Sequence, residues 1–323
     1  MAEVTVRSPR NRTLSLSDAE RSRLGEKLLD FSAGAPDSFA WESRTLLNKT
    51  ILGDSIRLLP KIPTGIADLI IADPPYNLSK DFHGNHFFAM SHAEYEEYLN
   101  TWMGELSRIL SPAGALYVCG DWRSAAAIQN ALSGRFSILN RITWGREKGR
   151  GASANWKNGM EDIWFAVKNP KNYCFHPERV RLRRRVIAPY RQDGLPKDWD
   201  DTKNGKFRDT APSNFWDDIS VPFWSMPENT EHPTQKPEKL VAKLILSSSE
   251  PGQVVFDPFL GSGTTSVVAK KLGRSYFGIE QNREYACLCE KRLELAESER
   301  SIQGFADGVF WERNSFSFQK SPK

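Results

Sequence analysis

The sequence predicts an α/β protein built on a doubly wound, mostly parallel sheet of seven strands. Three observations predict it. From Lys49 onward, short apolar runs ending in Gly, Asp or Pro alternate with longer amphipathic stretches. Two of those runs lead directly into motif-bearing loops, Asp73-Pro74-Pro75-Tyr76 and Asp257-Pro258-Phe259-Leu260-Gly261-Ser262-Gly263, and the carboxyl end of a strand is where such a sheet binds ligands. A chain of 323 residues with 39% hydrophobic content can bury one sizeable core with a small appendage.

In chain order, residues 1–45 form a polar N-terminal extension. Its one helical signal is a capping box, Ser17-Asp18-Ala19-Glu20, followed by Leu24, Leu28 and Phe31 at near-helical spacing. Residues 46–168 form the first half of the main domain, with strands over 49–54, 67–76, 114–121, 138–145 and 160–167 and a helix over 94–110. Residues 169–230 break the rhythm. They are rich in Arg, Pro, Trp and Asn with few convincing strands, and so long an irregular insertion is usually functional. Residues 231–299 form the second half, with helices over 239–249, 264–273 and 283–299 and strands over 253–259 and 275–280, and residues 300–323 are a C-terminal tail.

Charge is unevenly spread. Residues 141–191 hold 13 Lys/Arg against 4 Asp/Glu, a local +9 that leaves −5 for the rest of a chain whose total is +4. One basic segment on a mildly acidic body suits a polyanionic partner. Cys119, Cys174, Cys287 and Cys289 lack the CxxC pairs or His partners of a zinc site and read as reduced, mostly core thiols. With no signal-peptide stretch and no apolar run near the roughly 18 residues of a membrane span, the expectation is a cytoplasmic protein without a membrane partner.

The motif Asp73-Pro74-Pro75-Tyr76 carries the first chemistry. Two prolines stiffen the loop and leave the Pro74 carbonyl free to accept. An exocyclic amino group has two hydrogens and a lone pair conjugated into its ring. If Asp73 and the Pro74 carbonyl each accept one hydrogen, the nitrogen is drawn towards tetrahedral geometry and its lone pair can attack a methyl sulfonium. Tyr76 offers a face on which an extruded base stacks. Taken alone, the motif also fits a Pro-Pro turn capping a strand, with Tyr76 as packing.

The glycine loop with Thr264 and Thr265 is neither a phosphate-binding GK[ST] loop nor a full GxGxxG fingerprint. Its glycines admit a ligand close to the backbone, and Glu280, seventeen residues beyond Gly263 at the end of the next strand, can accept from both ribose hydroxyls of a nucleoside.

DPPY followed by FxGxG, in that order and with a basic segment between, resembles the beta class of DNA amino-methyltransferases, the N6-adenine and N4-cytosine DNA methylases with circularly permuted motifs. His232-Pro233-Thr234-Gln235-Lys236-Pro237 is similar to a third element of that class, which lies against the methionine end of the cofactor. The similarity covers roughly residues 49–295. It implies a Rossmann-like methyltransferase fold, S-adenosylmethionine as cofactor and no metal. It implies further that Asp73, Pro74, Pro75 and Tyr76 are catalytic, and that Asp54, Asp73, His232, Thr234, Lys236, Asp257, Pro258, Phe259, Gly261, Gly263, Thr264 and Glu280 line the cofactor pocket. Glu280 would meet the ribose, Asp54 the adenine, and Thr234 and Lys236 the methionine carboxylate. The resemblance makes 46–168 the catalytic half, 231–299 the cofactor half and 169–230 the target-recognition segment. It implies double-stranded DNA as partner, and it admits a homodimer and a cognate restriction endonuclease.

Arg146, Lys148 and Arg150 after the strand ending in Trp144, and the cluster Arg181, Arg183, Arg184 and Arg185, are the candidate DNA contacts. Most would position the phosphate backbone and a few could read guanine edges; a solvated charged face is the other reading. Trp199, Trp216, Phe223 and Trp224 either stack on bases or pack beneath the insertion. His83, His86 and His92 suit a polar gate beside the catalytic loop.

C5-cytosine methylation needs a nucleophilic cysteine, usually preceded by proline, and the chain has no Pro-Cys pair. The nearest alternative to adenine N6 is cytosine N4, whose enzymes often carry Ser where Asp73 stands. RNA or glutamine methylases more often carry Asn there. A non-catalytic DNA-binding protein retaining the fold is opposed by the intact DPPY, glycine loop and Glu280.

Overall fold

A computed structural model describes residues 8–36, 41–82, 85–146, 155–187, 190–202 and 205–313. Its main sheet contains β1 (Leu29–Asp30), β2 (Lys49–Leu52), β3 (Ala67–Ala72), β4 (Leu110–Gly120), β5 (Ser137–Gly145), β6 (Met160–Val167), β7 (Phe215–Trp216), β8 (Val254–Asp257) and β9 (Ser275–Glu280). The order is β1-β2-β9-β8-β3-β4-β6-β5-β7. Every pairing is parallel except those of β6, which runs against both β4 and β5. The sheet therefore has nine strands rather than seven. The two additions, β1 and β7, are edge strands of two residues each, too short to leave a periodic signal.

Helices cover both faces, as uninterrupted apolar strands require. In β3, Leu69 and Ile71 join one core with Leu240, Val241, Leu244 and Ile245 of α4 (Glu238–Ser248) and Val267 and Val268 of α5 (Thr264–Lys271). Ile70 and Ala72 point the other way, into a core with Tyr95, Leu99, Trp102 and Leu106 of α2 (His92–Ile109) and Ile128 of α3 (Ala125–Leu132). Capping explains where α2 begins: Ser91 accepts from the Glu94 amide and Glu94 from the Ser91 amide.

The capping box at Ser17 does start a helix, α1 (Asp18–Gly25). That helix lies on α6 (Arg283–Ser298), burying Leu24 against Tyr285 and Leu288, with ion pairs Arg21–Glu284 at 2.8 Å, Lys27–Glu294 at 2.6 Å and Lys291–Glu20 at 2.6 Å.

The insertion is less irregular than its composition suggests. Leu182–Arg185, Asp200–Thr202 and Gly205–Thr210 form a second sheet with Phe305–Ala306 and Val309–Trp311 from beyond α6. The three strands from the insertion are dense in Arg, Lys and Asp, and around the small buried cluster of Phe207, Val309 and Trp311 no apolar alternation marks them. Buried Asp218 ties this region to α4, with Lys239 and Lys243 each 2.7 Å away. Among the described residues, no helix is long and apolar enough to cross a membrane.

Candidate active site

Sheet direction assembles the site. Because β2, β9, β8, β3 and β4 are parallel neighbours, Asp54, Glu280, Asp257 and Asp73 all stand at one edge, where these strands end. The reversed strand β6 brings its first residues, including Glu161, to that same edge beside the end of β5 and Arg146. A cleft of about 580 Å³ opens there, and all four acids, Glu161 and Arg146 line it.

On one side the carboxylates are held by backbone. Glu280 Oε2 accepts from the Gly261 amide at 2.7 Å and Oε1 from the Asn282 amide at 2.8 Å. Asp257 accepts from the Phe259 amide at 2.9 Å and from the Thr265 hydroxyl at 2.6 Å. Burial pushes both carboxyls up to about 7. Asp54 caps the single turn Ser55–Leu58, accepting from the Ile56 amide at 2.9 Å, while Ser55 donates to the Pro258 carbonyl and links that turn to the glycine loop.

The two loop glycines do different work. Gly261 has φ +55°, and a Cβ there would lie 3.0 Å from His232 Nε2, so its bareness lets the His232 ring close over the loop. Gly263, with φ +82°, turns away from the cleft, and a Cβ there would lie 2.2 Å from Cys289 Sγ on α6. Its place in the sequence suggests cofactor contact; its place in the structure is a helix-packing contact. His232 packs edge-on against Tyr285 at 4.4 Å, and Pro258, Phe259, Thr234 and Thr264 line the same wall. Ser262 Oγ is buried at this wall and has no hydrogen-bond partner among the described residues. Paired carboxylate acceptors, an aromatic and proline wall and an unmatched hydroxyl suit the adenosine cofactor implied by the sequence.

On the other side the carboxylates are held by side chains. Lys236 Nζ lies 2.6 Å from Asp73 Oδ2, 3.3 Å from Glu161 Oε2 and 3.1 Å from the Tyr76 hydroxyl. That hydroxyl lies 3.0 Å from Asp73 Oδ1 and 3.1 Å from Glu161 Oε2, and Arg146 closes on Glu161 Oε1. Burial and the nearby Glu161 carboxylate raise the Asp73 carboxyl above its ordinary value against the pull of Lys236. Burial opposes charge on Lys236, but Asp73 and Glu161 outweigh it and hold the ammonium protonated. The Pro75 carbonyl is taken by the Tyr95 hydroxyl at 2.9 Å, whereas the Pro74 carbonyl accepts no hydrogen bond among the described residues.

Two further residues make contacts that the sequence does not announce. Lys236 lines the cleft and reaches Asp73 there, because the carboxylates of Asp73 and Glu161 draw its charge. Arg146 turns inward to Glu161 rather than outward along DNA, for the same reason. Glu161 itself is not singled out by the sequence.

A family model described as DNA methylase matches residues 67–291, spanning both motif loops and everything between them. The chain belongs to this DNA methylase family. It is 34% identical over 271 residues to the DNA adenine methyltransferase YhdJ of Escherichia coli, covering 81% of this chain and 86% of that protein. It is 33% identical over 248 residues to the Type II methyltransferase M.HpaI of Haemophilus parainfluenzae, covering 76% and 74%. The fold is shared with the cytosine-N4-specific PvuII DNA methyltransferase, at TM-score 0.57 and 17% identity over 76% of this chain and 85% of that one. It is also shared with TTHA0409 of Thermus thermophilus, solved with S-adenosyl-L-methionine, at TM-score 0.51 and 22% identity over 82% of this chain and 98% of that one.

In this DNA methylase the expected DNA-side residues divide. Arg183 is locked by Asp209, its Nε at 2.7 Å and Nη2 at 2.6 Å from the two carboxylate oxygens, and lies over the Trp311 ring. Arg184 reaches Glu312 at 3.8 Å, while Arg181 and Arg185 are exposed. Lys148, Arg150, His83 and the His86 side chain lie outside the described residues. Trp199 and Trp216 are buried and serve packing; Phe223 and Trp224 are exposed. Cys174, His176 and Glu250 bring one ligand atom each within 4.8 Å of one another, but both Glu250 oxygens already meet Arg179, at 2.8 and 3.0 Å.

Proposed function

We propose that this DNA methylase transfers a methyl group from S-adenosylmethionine to N6 of adenine in duplex DNA. The observation that carries the reading is that the Asp73 carboxylate lines the cleft beside Pro74, whose carbonyl accepts no hydrogen bond among the described residues. An amino group placed there donates one hydrogen to each, and its lone pair is released from the ring. When bound, the cofactor supplies an electrophilic methyl sulfonium. Asp73 stabilises the positive charge that develops on the amino nitrogen, and the Tyr76 ring carries the extruded base. Glu280 and Asp54 orient the nucleoside, and Pro258 and Phe259 exclude water from it. No residue forms a bond to the base.

Adenine is favoured by Asp, rather than Ser, in the first position of the motif, and by the name of the 34%-identical DNA adenine methyltransferase. The test incubates the protein with labelled S-adenosylmethionine and unmethylated genomic DNA, then digests to nucleosides. Labelled N6-methyladenine is the expected product, and sequencing the modified DNA identifies the recognition site. N4-methylcytosine would transfer the assignment to cytosine; absence of label would remove the activity.

A further inference from the structure

Two donors in the catalytic cluster are each shared between two carboxylates. Lys236 Nζ contacts Asp73 at 2.6 Å and Glu161 at 3.3 Å; the Tyr76 hydroxyl contacts Asp73 at 3.0 Å and Glu161 at 3.1 Å. A hydroxyl has one hydrogen, so Tyr76 donates to only one of them at a time. In the arrangement seen, Asp73 is compensated by an ammonium at the place where positive charge must develop during methyl transfer. A fixed cation at that range opposes the reaction through the same low-dielectric field that makes Asp73 useful.

Glu161 is built to relieve this. It is 5% exposed, it sits near the start of the reversed strand, and Arg146 grips its far oxygen, so it stays in place while its neighbours move. Lys236 need only close a 3.3 Å gap to leave Asp73 for Glu161. We propose that Glu161 is a positioning residue that takes Lys236 and the Tyr76 hydrogen from Asp73 when a target base enters, leaving Asp73 uncompensated for the amino group. The proposal rests on the reading of Asp73 as the amino-group acceptor. On this view the base-free cluster is a resting state: Lys236 shields a partly buried acid until the substrate amino group replaces it. The chemistry is a hydrogen-bond exchange among side chains already in contact, with no proton leaving the cluster.

The test is a mutant cycle read by single-turnover methyl transfer to a duplex carrying the recognition site, with cofactor and DNA affinities measured by equilibrium binding. Glu161→Gln keeps shape and hydrogen bonding but loses the charge that attracts Lys236. It is expected to slow transfer about tenfold or more while both affinities stay within about twofold. Adding Lys236→Met, at saturating cofactor, is expected to make the double variant faster than Glu161→Gln alone, because no ammonium remains on Asp73. Glu161→Asp, which retains charge, is expected to keep more of the rate than Glu161→Gln and covers the case in which the glutamine variant unfolds. A wild-type transfer rate in Glu161→Gln, or a double variant slower than the single one, would overturn the proposal: a merely structural Glu161 gives additive losses and no rescue. Transfer that survives Asp73→Ala would instead remove the underlying reading of Asp73, a separate outcome.

Discussion

The cleft is lined by two pairs of acids that are satisfied in opposite ways. Asp257 and Glu280 accept from backbone amides and a threonine hydroxyl, while Asp73 and Glu161 share Lys236 and the Tyr76 hydroxyl, and Arg146 holds Glu161 alone. A backbone amide cannot leave without unmaking the loop, so the first pair is a fixed frame, with no ion pair to it among the described residues. A lysine or tyrosine side chain can swing, so the second pair can be engaged and released. Binding a cofactor calls for the first arrangement; turning an acid on at the moment of reaction calls for the second.

The largest effect expected from breaking this contrast is at Asp73. Asp73→Ala is expected to lower the single-turnover transfer rate by about 10²–10³-fold, the usual loss when one preorganised electrostatic partner is removed. Cofactor affinity measured by calorimetry should stay nearly unchanged, since Glu280, Asp257 and the glycine loop are untouched. Loss of cofactor binding in that variant would mean that the two pairs are one unit.

The fixed pair predicts a pH dependence. Glu280 has its carboxyl pushed up to about 7 by burial. The folded protein therefore holds this proton more tightly than the unfolded chain does, so its contribution favours folding in acid and fades as the pH rises towards 7. The ionised form is the better acceptor for the ribose hydroxyls, so cofactor affinity is expected to rise as the pH passes through about 7 and to level off once the carboxyl is ionised. Glu280→Gln should weaken binding by about 1.5–3 kcal/mol, the scale of hydrogen bonds to a charged group, and flatten the pH profile. Titration calorimetry across that range decides; an unchanged slope in the variant would assign the proton elsewhere.

Legibility in the sequence follows the same contrast. The frame is readable because its residues close apolar runs: LIIA ends before Asp73, VVF before Asp257 and FGI before Glu280. The seven interior strands are legible for the same reason. Glu161 is invisible because an apolar run such as IWFAV carries no direction. Only the reversal of β6 puts its first residues, rather than its last, at the ligand edge. Once Glu161 is there, the inward turns of Lys236 and Arg146 follow from charge, but no local pattern announces them. Gly261 and Gly263 look equivalent in the loop, and what distinguishes them, His232 against one and Cys289 against the other, comes from distant segments.

The smallest expected effects lie in the basic insertion, where the same distinction between held and exposed charge applies. Arg181 and Arg183 look alike in the cluster from Arg181 to Arg185, but Asp209 holds Arg183 in a bidentate pair while the Arg181 side chain is exposed. Arg181→Gln is expected to reduce the salt dependence of DNA binding by about one unit in the log–log slope, as loss of one phosphate contact does, with unchanged thermal stability. Arg183→Gln is expected to leave that slope alone and to destabilise the protein by about 1 kcal/mol through the stranded Asp209. Filter-binding or fluorescence titrations at several salt concentrations, paired with thermal unfolding, separate the two. If both variants shift the slope equally, Arg183 must release Asp209 on meeting DNA, and the insertion would then share the exchangeable character of the Asp73–Glu161 pair.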